Sequence, residues 1–246
     1  MFRYKNILIG TVAATALFSS VAYAGTVTNP LLSGAVTISD GGSTTWNLPG
    51  SAPYTTNSDG TFDYIGSVSN PSLWAFTWNV TVDPDPLISA TFGITNNTGI
   101  TKHFDLLFTL PVGSPFGTPA QKSGSLGATF QDLNGVSNTG SATLSNISWA
   151  GRIDGVDAMS LFSGDFSCGG DLCSGSIFPV SDGPLSSTGV NTSIGIHLSF
   201  DLTAHDKATF TTSFEVVPVP LPAAMWLFGS GLLGLGALAR RRKQPK

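Results

Sequence analysis

The sequence predicts an all-β body, an antiparallel β-sandwich of jelly-roll or Ig-like kind, set between an N-terminal signal peptide and a C-terminal transmembrane helix. Three observations carry that expectation. Between Gly25 and Val217, apolar residues recur at every second position in several short runs, the period of a strand with one buried face. Gly, Ser, Thr, Asn and Pro punctuate those runs, as turns of β proteins require. Long apolar stretches occur only at the two ends, and no strong helical period appears between them. The chain therefore divides into residues 1–24, 25–217 and 218–246.

At the front, Arg3 and Lys5 precede an apolar run from Ile7 to about Phe18, and small residues end in Ala22-Tyr23-Ala24. Cations, an apolar stretch and an A-x-A site make a secretory signal, cut after Ala24 to leave Gly25 first. A permanent anchor is the alternative, but the run falls short of the roughly 20 residues a spanning helix needs.

Strands follow in order. Segments are expected around Val36–Ser39 and Phe62–Val68. Trp74, Phe76, Trp78, Val80 and Val82 then alternate with Ala75, Thr77, Asn79 and Thr81, and Asp83-Pro84-Asp85-Pro86 stops the strand. Ile88, Ala90, Phe92 and Ile94 form the next apolar face. Asn96-Asn97-Thr98-Gly99 turns the chain, and Phe104, Leu106, Phe108 and Leu110 return, an antiparallel hairpin by this reading. Gly113 to Pro119 is a long loop or a boundary between two β units. Ala128–Leu133 and Ala142–Trp149 are further strands. Ile194, Ile196, Leu198, Phe200 and Leu202 lead through Ala204-His205-Asp206-Lys207 to Phe210, Phe214 and Val216, a second expected hairpin. One-faced strands bury their apolar sides by stacking two sheets.

The tail carries the most specific signal. Val217-Pro218-Val219-Pro220-Leu221-Pro222 is held extended by its prolines. An apolar run from Ala223 to Ala239 follows, with Trp226 near its outer end and Gly229, Gly231, Gly234 and Gly236 along it. At about 1.5 Å per residue it just crosses a hydrocarbon core. Arg240, Arg241, Arg242 and Lys243 stop transfer and fix that end in the cytoplasm, leaving the body outside. A plain single-pass anchor does not explain the proline-rich entry.

Val219-Pro220-Leu221-Pro222-Ala223, the apolar run and the arginine cluster together resemble a PEP-CTERM sorting signal, in its Val-Pro-Leu-Pro-Ala form. The resemblance covers about the last tenth of the chain. It implies a Gram-negative host, recognition by an exosortase, transient anchoring in the inner membrane, and an association with exopolysaccharide or biofilm. On that basis the expected function is a non-enzymatic cell-surface or extracellular-matrix protein.

The residues of the body are less specific. Its fifteen acids, less Lys102, Lys122, Arg152 and Lys207, leave a net charge of −11. That balance speaks against nucleic-acid binding, which needs cations for phosphate. Cys168 and Cys173 are the only cysteines. In an exported chain they are expected to close a disulfide, clipping one surface loop. Asp154, Asp157, Asp165 and Asp171 crowd the same stretch and are candidates for a structural calcium, although no EF-hand spacing is present; solvated turn aspartates are the alternative, and no cofactor is otherwise expected. His103, His197 and His205 fall on polar faces or in a turn and are expected at the surface. His205-Asp206 invites a triad, but no nucleophile elbow accompanies it, so no catalytic residue is assigned. Trp74 and Trp78 belong to a core face. Trp46 and Trp149 are less constrained, and an exposed one would favour the alternative of a carbohydrate-binding adhesin. A secreted hydrolase, the other alternative, would need a pocket holding His205 or paired aspartates.

Overall fold

The computed structural model describes residues 32–39, 43–48, 52–133, 141–170, 172–219, 228 and 231, with backbone alone for residues 43–46 and 178. The predicted signal peptide and most of the predicted sorting tail lie outside these residues. Among the described residues, no helix is long and apolar enough to cross a membrane.

The body is all antiparallel β. Its strands are β1 (Ser33–Ser39), β2 (Ser43–Asn47), β3 (Tyr54–Thr56), β4 (Phe62–Asn70), β5 (Trp74–Asp83), β6 (Leu87–Asn96) and β7 (Lys102–Pro111). There follow β8 (Ala120–Asp132), β9 (Ser141–Ile153), β10 (Val156–Gly169), β11 (Ser174–Ser187), β12 (Ser193–Leu202) and β13 (Asp206–Pro218). A six-stranded sheet runs β10-β9-β12-β7-β1-β2, and a seven-stranded sheet runs β11-β8-β13-β6-β5-β4-β3.

The alternating faces are as expected. Trp74, Phe76, Trp78, Val80 and Val82 are buried, as are Ile88, Ala90, Phe92 and Ile94 on β6, and Phe104, Leu106, Phe108 and Leu110 on β7. Asp83 ends β5, and a turn at 84–86 returns the chain as β6, with Val82 opposite Ile88. The core fills from both sheets. Phe92 of β6 stacks on Phe108 of β7 with ring centroids 4.6 Å apart, and Phe210 of β13 meets Phe200 of β12 at 4.6 Å.

Those ring contacts correct both expected hairpins. β6 and β7 are consecutive but lie in opposite sheets, as do β12 and β13. β6 pairs with β5 and β13, whereas β7 pairs with β1 and β12. Two strands that each carry one apolar face can bury both faces by turning them toward each other across the core; side by side, both would still need a cover. Asn96 ties the two crossings to each other. It is fully buried, its Nδ2 donates to the Leu202 and Thr203 carbonyls at 3.0 Å, and its Oδ1 accepts from the Thr98 N–H at 3.0 Å. Pairs β8–β9 and β10–β11 are also divided between the sheets, in the same lateral order.

β10 and β11 are strands that the sequence reading does not predict, and Asp157 and Asp165 lie within β10. They are the adjoining edge strands of the two sheets, and Cys168 bonds Cys173 where one passes into the other. The disulfide closes the short connection between the two strands, from the end of β10 to the residue before β11. At a sequence separation of five, its loop is short. Replacing both cysteines by Ser is expected to cost about 2 kcal/mol by loop-closure entropy, read from urea midpoints.

Candidate functional site

The outer face of the six-stranded sheet holds a polar cluster. On β7, burial of Phe104 and Leu106 leaves His103 and Asp105 pointing outward. On β12, burial of Ile196, Leu198 and Phe200 does the same for His197, Ser199 and Asp201. The register sets His103 opposite Asp201 and Asp105 opposite Ser199. Neighbouring strands thus bring together residues about a hundred positions apart.

The contacts are specific. His103 Nδ1 lies 2.6 Å from Asp201 Oδ1, and His103 Nε2 lies 3.2 Å from Ser199 Oγ. An ionised carboxylate only accepts, so the network assigns the ring proton to Nδ1; Nε2 is then the lone pair that accepts from the Ser199 hydroxyl. Asp201 is held from its other side by Asn146, whose Nδ2 donates to Oδ2 at 2.5 Å. Diagonally, His197 Nε2 donates to Asp105 Oδ2 at 2.8 Å. The His103 and Asp201 side chains are 41% and 23% exposed, so the cluster is open to solvent.

Asn146 owes its position to a bulge. The β12–β9 register shifts between Ser199 and Asp201, and Asn146 stands at φ +52°, a region uncommon for a residue other than Gly. Its N–H leaves the ladder and donates to Asp165 Oδ1 at 2.7 Å. The bulge re-aims the amide side chain toward Asp201.

Of the calcium candidates, Asp154, Asp157 and Asp165 do not share a point. Asp154 and Gly155, at φ +52° and +81°, form a two-residue turn between β9 and β10, the Asp-Gly signal of a type I′ hairpin. The Asp154 carboxylate accepts from the Asn191, Thr192 and Ser193 N–H groups. Asp157 pairs with Arg152 at 2.9 Å. Asp165 belongs to the Asn146 bulge toward the far end of β10, and Asp171 lies outside the described residues. Among the described residues, no group of three or more His, Cys, Asp or Glu is placed to hold a metal ion.

His205 and Asp206 make no triad. His205 sits in the turn before β13 at φ +58°. Asp206 is fully buried, opposite the equally buried Asp132 of β8, and bonds the Thr203 hydroxyl. Burial raises its carboxyl; the Thr203 bond works against this, and the Asp132 charge adds to it. Asp154 is the reverse case. Partial burial pushes it up, but the bonds from Thr192, Asn191 and Ser193 together bring it down to about 2.

These shifts act in opposite senses on stability. The Asp206 contribution is fully present below the unfolded value of 3.8 and is lost as pH rises through the raised folded value. The Asp154 contribution is present above 3.8 and is lost as pH falls through about 2. Asp206→Asn, which mimics the protonated acid, is expected to raise the melting temperature at pH 7, with the gain shrinking toward pH 4. Melts across that range check it, and a gain that does not shrink refutes it.

Trp149 is not exposed. It is fully buried, and its Nε1 donates to Thr212 Oγ1 at 2.7 Å. Trp46 is in register with Val36 on β1; its side chain lies outside the described ones. A groove of about 510 Å³ over β8, β11 and β13 is lined by groups such as Thr129, Gln131, Ser176 and Lys207, with no His or carboxylate among its lining.

Residues 218–243 match the PEP-CTERM protein-sorting motif. The motif implies an exported protein, transiently anchored in the membrane and processed by an exosortase. No curated protein matches the chain.

Proposed function

We propose that the chain is a non-enzymatic component of the cell surface or extracellular matrix, associated with exopolysaccharide once its tail is processed. The match at residues 218–243 is the observation that carries this reading. The body supports it. Its two broad sheets offer open faces, the groove over β8, β11 and β13 has neither His205 nor paired aspartates, and the surface is acidic enough to resist self-association. An adhesin built on Trp149 loses its support, since that ring is in the core.

The signal peptide is proposed to be cut after Ala24, and the exosortase to act within Val219 to Ala223. Mass spectrometry of the mature protein from cells and from medium tests this. A chain beginning at Gly25 and shortened within the tail is expected, co-fractionating with exopolysaccharide. Recovery of the intact chain in the cytosol overturns it.

A further inference from the structure

The export signal explains where the body goes and leaves the outer-face cluster without a task. We propose that Ser199 is an activated nucleophile, with His103 as its general base and Asp201 and Asn146 as positioning residues, that accepts an acyl group from carboxylic esters borne on an exposed polymer. Geometry carries the case. The Ser199 hydroxyl lies 3.2 Å from the lone-pair nitrogen of His103, while the other ring nitrogen is fixed at 2.6 Å by Asp201. Asn146 holds Asp201 on its other oxygen from a bulge position in the left-handed region.

The step balances within the site. Ser199 Oγ attacks the ester carbonyl carbon, and its proton passes to His103 Nε2. The C–O bond to the alcohol breaks, His103 returns the proton to the departing oxygen, and an ester of Ser199 and a free alcohol remain. No oxidant, reductant or metal takes part.

Magnitudes say how far this goes. A positioned base supplies roughly 10²–10⁴-fold. Backbone oxyanion donors are scarce among the described residues: β12 is paired by β7 along its length and by β9 except at the register shift between Ser199 and Asp201. Lack of one such donor costs roughly 10²–10³-fold. Asp105 opposite Ser199 adds a like charge, partly answered by His197. The balance favours slow, stoichiometric acylation over rapid turnover, in keeping with a matrix component. An open sheet face also admits an ester on a long chain, such as an O-acylated polysaccharide, better than it encloses a small molecule.

The test uses the mature protein isolated from cells, a fluorophosphonate probe, and peptide mapping by mass spectrometry. Ser199 is expected to label at least about tenfold faster than any other serine, in line with a base-assisted hydroxyl. Ser199→Ala should abolish that label. His103→Ala and Asp201→Asn should each slow it at least about tenfold with melting unchanged, whereas His205→Ala should not. The wild-type labelling rate should vary with pH, and His103→Ala should erase that variation. Incubation with an acetylated polysaccharide should leave one acetyl group on Ser199. Labelling spread evenly over the serines, or indifferent to His103→Ala, overturns the proposal and leaves the cluster a hydrogen-bonded strand pairing; this result would not touch the sorting of the tail.

Discussion

Trp149→Ala is expected to destabilise the body by about 3–5 kcal/mol, the range for removing a large buried aromatic. The indole is fully buried on β9, in edge contact with Phe214 at 6.1 Å. Glycines make its space: a Cβ on Gly124 would stand 2.6 Å from the Trp149 ring, and one on Gly151 would stand 2.4 Å from Phe214. With rings this close, neighbours can collapse only partly into the vacated volume. Polar loss adds to the cavity. Thr212 Oγ1 accepts from Trp149 and donates to the Ser125 carbonyl at 2.8 Å, a relay joining β9 of one sheet to β13 and β8 of the other. Urea denaturation gives the measurement: a lower midpoint with unchanged slope. Trp149→Phe should fall between the two, since it keeps most of the apolar area and loses the N–H. If Trp149→Ala keeps its midpoint but loses glycan binding, the ring is a surface platform after all.

The faces of the strands were legible in the sequence, and their partners were not. Phe104, Leu106 and Phe108 alternate with His103, Asp105 and Leu107, and that pattern alone tells which side of β7 is greasy. It carries no information on which strand lies alongside. Adjacent segments were therefore joined as hairpins, and that assumption hid the outer-face cluster. With β7 beside β6, His103 and Asp105 would meet only Ser89, Thr91, Gly93 and Thr95, with no carboxylate or imidazole among them. With β7 beside β12, the run His197, Ser199, Asp201 meets them in register. The signal was present as two polar faces with His and Asp two residues apart on one and Ser and Asp two apart on the other. Only the long-range pairing gave it meaning.

A different limit applied to β10 and β11. An edge strand buries less than a central one, so it needs fewer apolar residues to form. Gly, Ser and Asp fill much of both, and register shifts interrupt each pairing. Period two is then broken in the sequence although the ladder persists in space. Asp154-Gly155 did mark the entry to β10. Its neighbours Asp157 and Asp165 drew attention to metal chemistry, when the pair was a turn.

Truncation after Val219 is expected to leave folding intact and abolish retention at the envelope. β13 ends at Pro218, opposite Ala120, and the Val219 N–H bonds the Pro119 carbonyl at 2.9 Å, so the body is closed before Pro220. Its melting temperature should therefore match that of the mature protein. Localisation should change in nearly all molecules. Without the apolar run and Arg240 to Lys243, nothing halts translocation, and without residues 220–223 a sorting protease has no site. Replacing Pro220 and Pro222 by Ala separates the two losses. The span and its basic stop remain, so the chain should stay in the inner membrane at full length, uncut. Fractionation followed by mass spectrometry distinguishes these fates. A truncated chain still held at the cell surface would show that the sheets themselves, rather than the tail, hold the protein there.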